Sequence, residues 1–329
     1  MEPILEGVNL GKSFHIKGLL GKTKGTVSAV HDVSFSLKEQ ATLGIVGESG
    51  CGKSTLARLI MRLIQPDVGK VNYRGEDILP LSGSSLQKVR KKIQMVFQNP
   101  YSSINPKLSI LDNVAFPLWE NGVGKIDARK KALYYLEAVG LPRLYANRLP
   151  TSLSGGQRQR VAIARALVLE PEIVIADEAV SALDKSVQAQ VLRLFQDLKK
   201  EFSLSLVFIS HDLNVVEYMS DEVMVMYLGK VVEAGPAEQI YADPQHPYTQ
   251  ALLDSIPSME VGVSTLDNSP IKGELPSPMN PPSGCRFRTR CPLATEQCAS
   301  GAPPKIEVSP GHSTACFLYE GVAKNKVLL

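Results

Sequence analysis

No uninterrupted apolar stretch of this 329-residue chain reaches the roughly 20 residues of a membrane-spanning helix. The first residues, Met-Glu-Pro-Ile-Leu-Glu, lack the basic start and apolar run of a secretory signal. Both absences predict a protein made and kept in the cytosol, which reaches a membrane only through partners. Charge of one sign is scarce as well. A net charge of +3 is too weak to argue for nucleic acid as a partner. There is no internal repeat and no low-complexity tract. Cysteine is rare: one of the five is Cys51, and the other four lie beyond residue 284. The chain does have 44% hydrophobic residues, enough for one large core and a smaller annex.

Residues 47–55 read Gly-Glu-Ser-Gly-Cys-Gly-Lys-Ser-Thr and fit the phosphate-binding P-loop pattern. A short apolar run, Leu43 to Val46, precedes them, and the helical-looking Leu56 to Met61 follows. Gly47, Gly50 and Gly52 let the backbone approach an anion without Cβ clashes. The loop N–H groups and the helix N-terminus then point at phosphates, with Glu48, Ser49, Cys51 and Thr55 counted among the nucleotide-binding residues. Lys53 is expected to reach the β- and γ-phosphates of a nucleotide and Ser54 to hold Mg²⁺. Alone, this motif does not separate kinases, GTPases, helicases and transport ATPases.

Residues 153–160, Leu-Ser-Gly-Gly-Gln-Arg-Gln-Arg, make the separation. Ser154 stands where an N-cap belongs, and Gly155, Gly156 and Gln157 open an Ala-rich helix. Here the chain resembles the ATP-binding cassette (ABC) family. The resemblance implies that Ser154, Gly155, Gly156 and Gln157 close over ATP held by a facing cassette, with Asp184 of Ser181-Ala182-Leu183-Asp184 crossing to that partner. It implies that Asp177, at the end of Ile173-Val174-Ile175-Ala176, supports the Mg²⁺ shell with Ser54 and Gln98. Glu178 then polarises the attacking water, and Gln98 and His211 sense the water and the γ-phosphate. Phe14 takes the place of the aromatic that stacks on adenine, with His15 beside it. Where the family commonly has proline after the catalytic glutamate, this chain has Ala179. The surface around Gln98–Pro106, including Asn99-Pro100-Tyr101, is expected to face the membrane subunits.

The pattern predicts an α/β P-loop fold with a mostly parallel sheet, an antiparallel β lobe and a helical subdomain. Strands are expected near 4–9, 32–37, 172–176, 206–209 and 223–227. Helices are expected at Asp127 to Gly140 and near 185–201 and 212–219. Prolines crowd the chain beyond residue 243. This divides it into a nucleotide-binding domain, 1–245, and a Pro/Cys-rich C-terminal extension, 246–329.

Gln245 to Leu253 and Gly273 to Pro278 resemble the C-terminal region of oligopeptide and dipeptide importer ATPases. The expected function is to power uptake of di- or oligopeptides by hydrolysing ATP at the cytoplasmic face of the bacterial cell membrane. Nickel, glutathione, opines and some sugars are also solutes of that group. The implied partners are a second ABC ATPase in a heterodimer, two permeases and a solute-binding protein. The other function class is a soluble cassette ATPase of DNA repair or translation. Clustered cysteines in a reducing compartment suggest metal rather than a disulfide. For Cys285, Cys291, Cys298 and Cys316 the resemblance points to a [4Fe–4S] cluster, with Zn²⁺ as the alternative. Arg286, Arg288 and Arg290 either offset the charge of such a cluster or are solvated surface residues.

Overall fold

A computed structural model of the chain describes residues 2–17, 23–99, 103–255 and 273–320. Twelve strands occur among them: β1 (Leu5–Lys17), β2 (Thr23–Leu37), β3 (Thr42–Val46), β4 (Val68–Tyr73), β5 (Glu76–Asp77), β6 (Ile93–Val96), β7 (Ile173–Asp177), β8 (Ser205–Ile209), β9 (Glu222–Tyr227), β10 (Lys230–Pro236), β11 (Ile306–Ser309) and β12 (His312–Thr314). Every residue of β3, β7 and β8 is buried. Strands covered on both faces read as continuous apolar runs, as these three do.

They form the centre of an eight-stranded sheet ordered β11-β12-β10-β9-β3-β8-β7-β6. Its pairs from β6 through β9 are parallel, and β10 and β12 add antiparallel edges. One face packs on the helices Ile110–Glu120, Lys125–Ala138 and Gly155–Leu167, through residues such as Val174, Phe208, Val114, Leu136 and Val161. The other face meets the helix Lys53–Ile60 and an antiparallel sheet ordered β2-β1-β4-β5. Each fully buried aliphatic side chain in these layers contributes roughly 1.5–3 kcal/mol. Parallel strands deliver their carboxyl ends to one edge, where α/β sheets bind ligands. The P-loop follows β3, Glu178 follows β7 and His211 lies just beyond β8.

The helix expected from Asp127 runs Lys125–Ala138, and Gly140 lies just beyond its end at φ +74°. Two features depart from the sequence reading. The hairpin of β4 and β5 pairs with β1 in the antiparallel lobe. It is half exposed and carries little alternation, so its pattern was weak. Likewise, residues beyond 243 are not without regular structure: a helix spans Pro247–Asp254, and β12 pairs with β10, which brings part of the Pro/Cys-rich stretch into the main sheet. A third core cluster joins Val46, Val225 and Tyr227 of the cassette to Tyr248 and Phe287 of the extension.

Candidate nucleotide site and its neighbour in the extension

The turn after β3 depends on two close approaches. Gly47 has φ +151°, and a Cβ there would lie 2.1 Å from the Met226 carbonyl oxygen. Gly52 has φ +110°, and its Cβ would lie 2.2 Å from the Ala29 carbonyl oxygen. The following helix, Lys53–Ile60, opens with no side-chain cap at Gly52. Unpaired N–H groups at such a start attract anions.

Lys53 is buried at 4% exposure, and its ammonium donates to the Gly47 and Glu48 carbonyls at 2.6 and 3.1 Å. Ser54 Oγ donates to Asp177 Oδ1 at 2.9 Å. Burial pushes the Asp177 carboxyl above the usual carboxylate range, against the hydrogen bond from Ser54. Glu178 has φ +47°, and its N–H donates to the Ile209 carbonyl at 2.9 Å. A non-glycine residue in that region is uncommon and costs free energy. Gln98 Nε2 donates to Glu178 Oε2 at 2.9 Å, and His211 Nδ1 lies 3.4 Å from the same oxygen. Thus Gln98, Glu178 and His211 are brought together although 113 positions separate the first from the last (211 − 98). Ala179 and Val180 are buried in the core behind Glu178.

A cavity of about 440 Å³ opens here, lined by Phe14, Ser49, Lys53, Thr55, Gln98 and Glu178 among others. Phe14 is on its wall, whereas His15 is engaged with Thr26 Oγ1 at 3.0 Å. Cys51 is fully buried beneath the loop, and burial raises its thiol pKa.

Ser154, Gly155, Gly156, Gln157 and Asp184 do not line this cavity. Ser154 caps its helix in a reciprocal pair with Gln157, and Asp184 caps the helix Lys185–Glu201 by accepting from Val187 N–H. The two helix starts touch: a Cβ on Gly156 would lie 2.4 Å from Val187 Cγ1. The second glycine of the motif therefore has a packing reason of its own.

In the extension, Cys285, Cys291, Cys298 and Cys316 are free thiols that line one cavity of about 90 Å³. Among the described residues, no group of three or more His, Cys, Asp or Glu side chains is arranged to hold a metal ion. Burial raises the pKa of Cys285 and Cys291 and pushes Cys316 up to about 11.

The arginines between the cysteines are neither uniformly solvated nor all turned to the thiols. Arg286 donates to the Leu228 carbonyl and Arg288 Nε to the Ser283 carbonyl at 2.9 Å. Arg290 is paired with Glu48 of the P-loop, Nη1 to Oε2 at 2.9 Å. Sequence reasoning missed this contact and the one from Tyr248 Oη to Glu48 N–H. The only signal was that both residues lie in motifs of the extension. It also missed Asn113, whose side-chain amide binds the Asn105, Leu108 and Ser109 carbonyls and so shapes the loop before the helix Ile110–Glu120. Pro100 and Tyr101 of the expected membrane-facing motif lie outside the described residues.

Two family profiles match the chain: "ABC transporter" over residues 30–181, and "Oligopeptide/dipeptide transporter, C-terminal region" over residues 232–298. The oligopeptide transport ATP-binding protein AppF of Bacillus subtilis is 50% identical, over 97% of this chain and 98% of that protein. The dipeptide transport ATP-binding protein DppF of Haemophilus influenzae is 48% identical, over 96% of each. Among solved structures, the ADP- and phosphate-bound dimer of the ATP-binding cassette MJ0796 aligns with a TM-score of 0.63 at 32% identity. It covers 71% of this chain and 98% of that one. With identity of this extent over nearly its whole length, the chain belongs to the ABC transporter family, as one of its ATPases.

Proposed function

We propose that this chain hydrolyses ATP to drive uptake of di- or oligopeptides through an ABC importer. The observation that carries the chemistry is Glu178, held by Gln98 and His211 at the mouth of the P-loop cavity. The peptide assignment rests on the likeness to AppF and DppF and on the peptide-transporter profile over residues 232–298.

In this reading Lys53 and the loop N–H groups other than those of Glu48 and Cys51, which are bonded to Tyr248 Oη and the Glu48 carbonyl, hold the phosphates, and Phe14 stacks on the base. Ser54, Asp177 and Gln98 offer hard oxygen donors, which fit Mg²⁺. Bound there, Mg²⁺ supplies positive charge that offsets the phosphates. Glu178 accepts a proton from the attacking water, while Gln98 and His211 orient it and read the γ-phosphate. Glu178 holds its positive φ just past the end of β7 and lines the cavity. Ser154, Gly155, Gly156, Gln157 and Asp184, being outside their own chain's cavity, serve the site of a facing cassette. One chain does not complete its own site, so the working unit includes a second ATPase, best read as a different cassette.

No helix among the described residues is long and apolar enough to cross a membrane. Two permeases therefore supply the path and a solute-binding protein the choice of peptide, with this chain peripheral at the cytoplasmic face. A groove of about 390 Å³ lined by Ile104, Asn105, Pro106, Phe116 and Arg165 is a fitting seat for a permease segment.

The four-thiol cavity is read as a [4Fe–4S] site. Its donor set is all sulfur, which suits such clusters, and no disulfide competes for the thiols. Zn²⁺, which four thiolates also suit, is the alternative. Iron and acid-labile sulfide near four per chain in anaerobically purified protein would support the cluster; one zinc per chain would replace it.

The test of the main reading is expression with the neighbouring cassette, two permeases and the binding protein in liposomes. Turnover stimulated by peptide-loaded binding protein supports it. Robust hydrolysis by this chain alone, indifferent to any peptide, sinks the importer assignment.

A further inference from the structure

Glu48, the second residue of the P-loop, is held from the extension at both its backbone and its side chain. Its N–H donates to Tyr248 Oη at 2.9 Å. Its carboxylate takes Arg290 Nη1 at 3.1 Å on Oε1 and 2.9 Å on Oε2. These partners lie 200 and 242 positions along the chain. The Glu48 carbonyl accepts from Lys53 Nζ at 3.1 Å and from Cys51 N–H at 3.2 Å. Every polar group of Glu48 is thus engaged, and two of those anchors come from outside the cassette motifs.

The anchors are themselves fixed. The Arg290 side chain is only 9% exposed, and Tyr248 is fully buried. Tyr227 and Tyr248 have ring centroids 4.6 Å apart, and Phe287 stands 5.3 Å from each. Although Cys291 is its chain neighbour, Arg290 is not on the wall of the four-cysteine cavity; Arg288 is. Arg290 therefore points away from the thiols and toward the phosphate loop.

We propose that Arg290 and Tyr248 are positioning residues for nucleotide binding, by which the C-terminal extension holds the P-loop in its phosphate-receiving shape. The physical case is simple. A carboxylate at the lip of a loop that receives a polyanion opposes the ligand unless a cation offsets it. Arg290 supplies that cation from a nearly buried position, where screening by water is weak. Tyr248 fixes the Glu48 peptide group, whose carbonyl in turn steadies Lys53. Removing Arg290 alone strands the carboxylate, and removing both charges relieves it.

The inference rests on the ATP-site reading above. The experiment is a fluorescent-ATP titration of the full-length protein, with melting temperature and metal content measured on each variant. Arg290→Ala should raise Kd about 10-fold, the scale of a lost charge-assisted hydrogen bond. Arg290→Lys should recover part of that loss. Adding Glu48→Gln to Arg290→Ala should bring Kd back to within about threefold of the parent, the non-additivity expected of an interacting pair. Tyr248→Phe should cost about threefold. In the assembled transporter, Arg290→Ala should raise KM for ATP and leave kcat at saturating ATP within about twofold, as uniform binding effects do. A parental Kd in folded Arg290→Ala overturns the proposal. So does an additive double variant, or a Kd change that follows metal loss across all variants. No binding by the parent protein would instead overturn the ATP-site reading itself.

Discussion

The P-loop cavity and the four-cysteine cavity are joined by one aromatic cluster, yet they are built in different ways. Around the P-loop the polar groups already have protein partners: Lys53 on loop carbonyls, Ser54 on Asp177, Gln98 on Glu178. Those groups come from distant stretches of chain, each placed by the end of a buried strand or the start of a helix. Around the cysteines no thiol is in a disulfide, Cys298 Sγ lies 3.6 Å from Thr295 Oγ1, and their segment turns back on itself through bonds such as Cys285 N–H to the Cys298 carbonyl at 2.8 Å. The first site is held by the sheet, and its geometry is set before any ligand arrives. The second is held by turns and the short helix Gln297–Ser300, with Cys316 following the edge strand β12. A ligand bound there has more to contribute to order.

The largest test of that contrast is at Glu178. Glu178→Gln keeps the shape and removes the base, so hydrolysis in the assembled transporter should fall by at least about 10²-fold. ATP binding should persist and a closed dimer accumulate on gel filtration with ATP. Turnover near the parental rate would take the catalytic role away from Glu178 and leave the preformed triad without its purpose.

Cys298→Ser probes the other side. Under the proposed cluster assignment, iron should fall from about four to below one per chain, because a four-thiolate cluster tolerates a missing ligand poorly. Nucleotide affinity should change less than it does in Arg290→Ala, since the clamp on Glu48 does not pass through that thiol. Equal losses of iron and of affinity would merge the two sites into one cooperative unit and end the comparison.

The backbone of the P-loop is a finer test. Gly52→Ala places a Cβ 2.2 Å from the fixed Ala29 carbonyl oxygen at φ +110°. Backbone atoms on both sides must shift, so ATP Kd should rise roughly 10-fold, the equivalent of about 1.4 kcal/mol. The iron content should stay at the parental level. An unchanged Kd would show that the loop is softer than its contacts imply.

These sites differ just as much in how legible they were. The P-loop pattern named Lys53, and the resemblance to the ABC family named Asp177, Glu178 and His211; the parallel sheet brings their strand ends together. The N-cap at Ser154 was legible locally, from a capping residue before a periodic run. Arg290 and Tyr248 were not. Nothing in local spacing links residue 48 to residue 290; tertiary packing, with Phe287 against Tyr227 and Tyr248, brings them together. Strand β12 was hidden for a related reason: three residues in a proline-rich stretch carry no periodicity, and their place is set by pairing with β10.

The smallest expected effect is at Asp177, and it asks whether the preformed site is held at a cost. Burial raises the pKa of this carboxyl, and the bond from Ser54 and the nearby cations only partly oppose that. In the unfolded chain the group is solvated and titrates normally. Keeping it charged in the fold is therefore unfavourable at neutral pH. Asp177→Asn retains an oxygen for Ser54 and removes the charge. The metal-free, nucleotide-free protein should gain roughly 1 kcal/mol, the usual size of relief at a functional site, while hydrolysis is lost. The pH dependence has a definite sign. Because the folded pKa is raised, the parent carries this penalty in full above that pKa and sheds it as the pH falls toward the unfolded value of 3.8. The advantage of the Asn variant should be full at pH 7 and fade with acidification. Thermal melts of both proteins across that range, with chelator present, decide it. A variant less stable than the parent at pH 7 would mean that the Ser54 bond and the neighbouring cations outweigh burial, and that the nucleotide end is held at no cost.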